Sequence, residues 1–440
     1  MKMKTVCFEL ILSVCAIVRA DDWPQWLGPQ RDGIWREKGI IEKFLQRGAK
    51  ILWRTPIAAG YAGPAVADGR VYVTDRVASD ALPGDPFQRG KYPGLERVFC
   101  INASNGKVIW QKEYPCDYTI SYAAGPRATP CISDGKVYTL GAEGDLRCYK
   151  TENGDLLWSK KFNDDGSQTP MWGYSASPLI DGDKLICTAT ANDIAIAFNK
   201  NNGEIIWKNL SGKEPGYCPR VIYEAGGKRQ LIIWHPAALV SLDPENGKEY
   251  WTEKRESKMG LSIATPMKMG NLLFISSAYE GATMMQLDAD TPAAKRLWHR
   301  GGRNENTTDA IHMLIPSPAL KDGYIYGVEI YGQLRCLKAQ NGDRVWETFA
   351  ATTGGEKLRW ATAFVIQQDD RFILANDQGD LIIARMSPKG YEEISRAHAI
   401  EPTNKDANRP VVWSHPAFAN KCVYWRNDKE IVCVSMEAGK

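Results

Sequence analysis

Tryptophan recurs along this chain at a nearly constant interval. Trp53, Trp110, Trp158, Trp207, Trp251, Trp298 and Trp346 are separated by 57, 48, 49, 44, 47 and 48 residues. A period of that length, sustained over most of a chain, marks a repeat architecture in which each copy buries its apolar face only against its neighbours. Length alone would suggest about three independent domains; the period overrules that reading.

Most of these tryptophans follow a turn glycine by four residues: Gly106 to Trp110, Gly154 to Trp158, Gly203 to Trp207, Gly247 to Trp251 and Gly342 to Trp346. In each case Asn precedes the Gly, the strongest short-range signal for a tight hairpin, since both residues tolerate positive φ. A further copy, Lys389-Gly390 to Ile394, keeps the spacing and loses the Trp. Upstream of each turn lies a second hairpin: 64–73, 130–140, 178–188, 266–276, 318–328 and 416–426, with divergent copies at 221–234 and 363–376. Eight units result, each with room for four strands of about 12 residues. The predicted fold is an all-β, eight-bladed propeller of four-stranded antiparallel blades.

Ring closure checks the count. The eighth unit reaches Gly439-Lys440 with no Trp strand to follow, whereas a spare strand around Trp53 precedes the first unit. The expectation is that the Trp53 strand completes the last blade and removes the open sheet edge. Blades packed face to face should also bury pairs such as Ile109-Trp110 and Val345-Trp346 on both sides.

The Asn-Gly-to-Trp pattern resembles the tryptophan motif of the quinoprotein, or pyrroloquinoline quinone (PQQ)-like, propellers. The opening Trp23-Pro24-Gln25-Trp26-Leu27-Gly28-Pro29-Gln30-Arg31-Asp32-Gly33 is similar to the lead-in of exported bacterial PQQ-like repeat proteins. The resemblance covers nearly all of residues 23–440. WD-type propellers fit less well, because none of the repeat tryptophans is followed by Asp. In the family resembled, one propeller serves both quinoprotein dehydrogenases and a non-enzymatic lipoprotein of outer-membrane protein assembly. The motif itself is a device for packing blades.

Lys2 and Lys4, the apolar stretch from Thr5 to Val18 and the small residues before Asp21 read as a signal peptide over residues 1–20. Residues 21–50 then form a lead-in and 51–440 the propeller. The expected location is the periplasm or cell surface, with lipidation of Cys15 as the lesser alternative. No later segment has 18 uninterrupted apolar residues, so the mature chain should lack a transmembrane span. A monomer is expected. The net charge of +3 comes without a basic block, so no nucleic-acid partner is expected.

Nine cysteines follow residue 20. Cys100, Cys148, Cys336 and Cys433 each lie six residues before a turn glycine, where other units carry Ala197, Ser241 and Ala384. A position shared with Ala and Ser asks for a small, buried side chain, which Cys satisfies. Cys131 matches Ala65, Ala319 and Ala417 in the same way. Pairing of Cys116, Cys187, Cys218 and Cys422 stays open, and the absence of a C-x-x-C pair excludes covalent c-type haem attachment.

Catalytic signatures are missing: no H-E-x-x-H, G-x-G-x-x-G, phosphate loop, nucleophile elbow or EF-hand loop occurs. Turns such as Glu143-Gly144-Asp145 and Gln378-Gly379-Asp380 are expected to be solvated rather than calcium-binding. The residues just before each blade's first strand should converge on one end of the central channel. They are Tyr61, Arg127, Trp172, Tyr174, Tyr217, His312, Arg359, Trp360, Trp413 and His415, a set suited to a flat anionic cofactor, a sugar or a peptide, or to capping the channel by mutual packing. The extra length of the first interval falls between Val77 and Glu96 and reads as a surface excursion able to touch a partner.

Three functions remain open. The first is a non-enzymatic scaffold that binds an envelope protein at the channel mouth, with no assigned cofactor, catalytic residue or metal. The second, implied by the resemblance, is a PQQ- and calcium-dependent alcohol or sugar dehydrogenase. The chain lacks the adjacent Cys-Cys pair that many quinoprotein alcohol dehydrogenases use, and it is considerably shorter than they are. The third is a module that binds carbohydrate or cell wall through the aromatic rim.

Overall fold

The computed structural model describes residues 22–406 and 409–439, so the signal peptide expected over residues 1–20, with Cys15, lies outside the described residues. Among the described residues, eight four-stranded antiparallel sheets succeed one another around a ring. Blade 1 comprises Ala65–Ala67, Arg70–Ala78, Gly94–Asn102 and Val108–Pro115, counted from the channel outwards. Blades 2 to 7 occupy 131–161, 179–209, 221–254, 267–300, 319–348 and 363–398. Blade 8 is built from Ala417–Ala419, Cys422–Arg426 and Glu430–Ser435, with Lys50–Pro56 as its outermost strand. The amino-terminal strand thus closes the ring, Trp53 opposite Cys433 and Thr55 opposite Ile431. No helix among the described residues is long and apolar enough to cross a membrane.

The repeat motif works as a bolt between blades. Across blade 1, Ala65, Tyr72, Cys100 and Trp110 stand side by side on neighbouring strands. Cys131, Tyr138, Cys148 and Trp158 repeat the row in blade 2, as do Ala417, Tyr424, Cys433 and Trp53 in blade 8. Next to the Trp pairing the register slips by a bulge, which turns the indole towards the following blade. There it donates to a turn carbonyl: Trp53 Nε1 to Ala103 O at 2.9 Å, Trp110 to Thr151 O at 2.9 Å and Trp298 to Ala339 O at 2.8 Å. The turn glycine is required twice over. Gly106 has φ +72°, and a Cβ on it would sit 2.7 Å from the Trp53 ring. All nine cysteines of the described residues are buried free thiols, as the packing reading expects of Cys100, Cys131, Cys148, Cys336 and Cys433; Cys116, Cys187, Cys218 and Cys422, whose pairing the sequence left open, are unpaired too.

Two sequence expectations need correction. Ile109 is 43% exposed, and Val345 is half-buried rather than covered. Blades splay apart towards the rim, so most side chains of an outermost strand stay open to solvent beside the long indole. The turn carboxylates Glu143 and Asp145 are buried, not solvated. Glu143 accepts from the Thr119 and Thr169 hydroxyls, and Asp145 pairs with Lys161 at 3.1 Å, so the ordered loops beside the turn supply the partners that water would otherwise provide.

The lead-in is part of the core. Its Trp23, Leu27, Trp35, Ile40 and Phe44 are all buried. It runs across the end of the channel that carries the turns, bridging Trp23 to Val66 of blade 1 and Ile34 to Gln367 of blade 7. Pro24 O accepts from Ile132 N of blade 2 at 2.9 Å. Buried Arg31 reaches the far side, donating to Arg220 O at 2.6 Å and to Pro178 O. Trp26 Nε1 donates to Thr265 Oγ1 at the entry to blade 5, at 2.9 Å. The channel is therefore a cup closed at one end.

Candidate functional site

The segments that enter each blade's first strand meet at the open end of the cup and line a cavity of about 470 Å³. Eight of the ten residues singled out from the sequence stand in its wall: Tyr61, Arg127, Trp172, Tyr217, Arg359, Trp360, Trp413 and His415. Tyr174 and His312 do not. Gly173, with φ +71°, turns the backbone between Trp172 and Tyr174, so the tryptophan faces the cavity and the tyrosine faces the blade core. Tyr174 there meets Phe162 edge-on at 5.3 Å and donates to Asn163 Oδ1 at 2.8 Å. His312 is 1% exposed with its Nδ1 3.1 Å from Ala278 O, and Leu314 and Ile315 take the wall position instead.

Sequence reasoning missed much of the rest of the wall. Trp26 forms the floor, its ring tilted against His415 at 4.7 Å, and Phe364 meets the same imidazole edge-on at 5.0 Å. Met259, Leu261, Ile263, Tyr279 and Ile330 supply the side of blades 5 and 6. Tyr122 and Phe87 stand at the mouth, where Phe87 comes from the insertion between Val77 and Glu96. Three wall residues have left-handed backbones without being glycine: Tyr122 (φ +53°), Met259 (φ +57°) and Trp360 (φ +59°). Each such residue costs about 1–3 kcal/mol and persists only where surrounding structure imposes it. The remaining left-handed non-glycine residues lie in the lead-in, in short Asp, Asn and Lys turns and at Leu210.

Electrostatically the cavity is quiet. Among the described residues no carboxylate lines it. Arg127 is engaged by backbone, donating to Ser121 O at 2.8 Å and Tyr122 O at 2.5 Å, and lies 5.1 Å over the Tyr61 ring. Arg359 pairs with Glu305 at 3.0 Å and lies 4.6 Å over the Trp360 ring. Burial pushes the Tyr61 phenol up to about 12 and holds the His415 imidazole down to about 4, so both are neutral near pH 7.

The histidine makes stability acid-sensitive. Unfolded, it takes a proton from about pH 6.5 downwards; folded, only near pH 4. Between those values the unfolded chain binds more protons, so stability present above pH 6.5 is lost as pH falls towards 4, by on the order of 3 kcal/mol. Urea unfolding across that window should show the loss. His415→Phe should remove this share and leave that of His235, which burial also holds at about 4. An unchanged slope in the variant would refute the assignment.

Comparison with known proteins follows the same lines. The family model described as outer membrane protein assembly factor BamB matches residues 94–348, more than half of the chain. Among curated proteins none matches the sequence significantly. The crystal structure of BamB from Moraxella catarrhalis superposes with a TM-score of 0.55 at 13% identity, covering 88% of this chain and 99% of that one. Quinohemoprotein alcohol dehydrogenase from Comamonas testosteroni gives 0.59 at 12% identity, covering 96% and 81%. The computationally designed Ika8 protein gives 0.54 at 10% identity, covering 88% and 100%. At such identities the likeness of structures is one of fold, shared by a BamB, a dehydrogenase and a design. The family match adds sequence to that likeness, and by it the chain belongs to the BamB-type family of PQQ-like β-propellers.

Proposed function

We propose that this propeller is a non-enzymatic binding protein of the cell envelope that holds an apolar segment of a partner protein at its channel mouth. The observation that carries this reading is the cavity wall: large, mostly aromatic, open at one end, with its two arginines already engaged and no carboxylate among the described lining residues. Desolvating such a wall against an apolar side chain is favourable, whereas an ion would enter without a counter-charge. The description of the matched family as an assembly factor agrees with a protein-binding role.

The alternatives fit the wall less well. PQQ with calcium needs oxygen ligands for the metal and cations for its carboxylates. The described wall offers no carboxylate, and the guanidiniums are spent on backbone carbonyls and Glu305. Sugar rings stack on aromatic faces, but their hydroxyls need a density of polar partners that this wall lacks.

The test compares full-length protein with Trp360→Ala. Recovery of a co-purifying envelope protein should fall roughly tenfold in the variant, as for a central aromatic anchor, with an unchanged melting curve. Stoichiometric PQQ binding in the presence of calcium, with dye reduction by alcohols or aldoses, would overturn the reading.

A further inference from the structure

The chain carries its own occupant for the cavity mouth. Phe87 projects from the exposed insertion of blade 1 and lies between the entry segments of blades 2 and 7. It meets Tyr122 edge-on at 5.2 Å and Trp360 at 6.0 Å, and Tyr122 in turn lies 6.0 Å from Trp413. The backbone around Phe87 is bound as a ligand strand would be. Tyr122 N donates to Pro86 O at 2.6 Å and Ser121 Oγ to Phe87 O at 2.9 Å. Even so, Phe87 remains 39% exposed and most of residues 79–91 face solvent, so this segment can lift at small cost.

Two further observations point to an absent ligand. Tyr122 Oη and Trp413 Nε1 are buried beside the mouth without a hydrogen-bond partner among the described residues. Left unmet, such groups are costly, and both can donate to a carbonyl oxygen. Tyr122 and Trp360, the two rings that flank Phe87, are also two of the three wall residues held in left-handed backbone. The mouth is thus shaped for one aromatic ring on an extended chain, with two donors over for that chain's carbonyls.

We infer that the cavity takes an aromatic side chain of a partner's extended segment, and that Phe87 is an internal competitor which this residue displaces. The inference rests on the partner-binding reading of the cavity. The ring enters between Tyr122 and Trp360, and the flanking carbonyls accept from Tyr122 Oη and Trp413 Nε1. A tethered competitor lowers apparent affinity by the fraction of molecules in which it has lifted. Removing Phe87 therefore tightens binding, the reverse of what losing a contact residue does.

The test uses an amidated peptide copying residues 83–90, Pro-Gly-Asp-Pro-Phe-Gln-Arg-Gly, with fluorescein on its amino terminus, titrated by fluorescence anisotropy against full-length protein. Phe87→Ala protein should bind it at least tenfold more tightly than wild type. Arg89→Ala, which frees the insertion from Thr119 O while keeping Phe87, should give an intermediate gain. In the Phe87→Ala background, Trp360→Ala should abolish binding and Trp413→Phe should weaken it severalfold. The same peptide with its Phe replaced by Ala should not bind. Equal binding of the two peptides, or no gain from Phe87→Ala in a protein that melts normally, would overturn the inference. Envelope-protein capture separates the two readings. Capture that persists without peptide binding refutes only the displacement by an aromatic residue; peptide binding without capture refutes only the scaffold.

Discussion

Deleting residues 51–56 should lower the midpoint of thermal unfolding by about 10 °C or more. The segment supplies six of the seven residues of the outer strand of blade 8, paired with Glu430–Ser435, and its register joins the amino-terminal end of the ring to the last blade. Trp53 is the bolt at that seam: 8% exposed, packed 5.9 Å from Tyr424, and bonded to Ala103 O of blade 1. Removing one buried Trp costs about 3–5 kcal/mol, and the strand's ladder bonds add to that. Blade 8 would also be left with Glu430–Ser435 as an unpaired edge, so aggregation should accompany the lower midpoint. A deletion variant that melts with the full-length chain would refute closure through this strand.

Truncating residues 22–44 should be at least as damaging, and for a different reason. It leaves the closing strand Lys50–Pro56 paired with Glu430–Ser435 but takes Trp23, Leu27, Trp35, Ile40 and Phe44 out of the core. Phe418 of blade 8 would lose both indoles that cover it, Trp23 at 5.4 Å and Trp35 at 5.3 Å. The carbonyls of Arg220 and Pro178 would lose the Arg31 guanidinium. The expected result is an apolar dye-binding protein with a broad, early urea transition, and a cavity that has lost its Trp26 floor. A truncated chain with the original transition and no dye binding would show the lead-in to be dispensable.

These two effects divide differently between sequence and structure. Closure was legible in the sequence because it is a matter of counting: eight turn positions demand eight outer strands, and Trp53 is the spare. The lead-in's place was not. Its Trp-Pro-Gln-Trp opening resembles a family segment, but nothing in its own spacing says that Arg31 meets Arg220, 189 residues away. Contacts across a channel leave no periodic trace, since they join segments related by the ring and not by the repeat.

The candidate site shows the same boundary. Position relative to each strand-entry residue sufficed to find Arg127, Trp360 and Trp413, because every blade sends that segment to the same end of the ring. It failed at Tyr174, where Gly173 reverses the side chain's direction, and at His312, where the entry segment is longer and other residues reach the wall. Phe87 was bracketed only as part of an insertion; which way that insertion folds was invisible.

Repeat count, blade content, ring closure and the end of the ring where the variable segments gather were determined by the sequence itself, because each follows from local periodicity and from which residues a turn or a cross-blade row tolerates. The closed floor, the quiet charge of the cavity and the seating of Phe87 between Tyr122 and Trp360 were decided by tertiary structure alone. They depend on backbone turns without a repeated spacing and on contacts between residues hundreds of positions apart, brought together only when the ring closes.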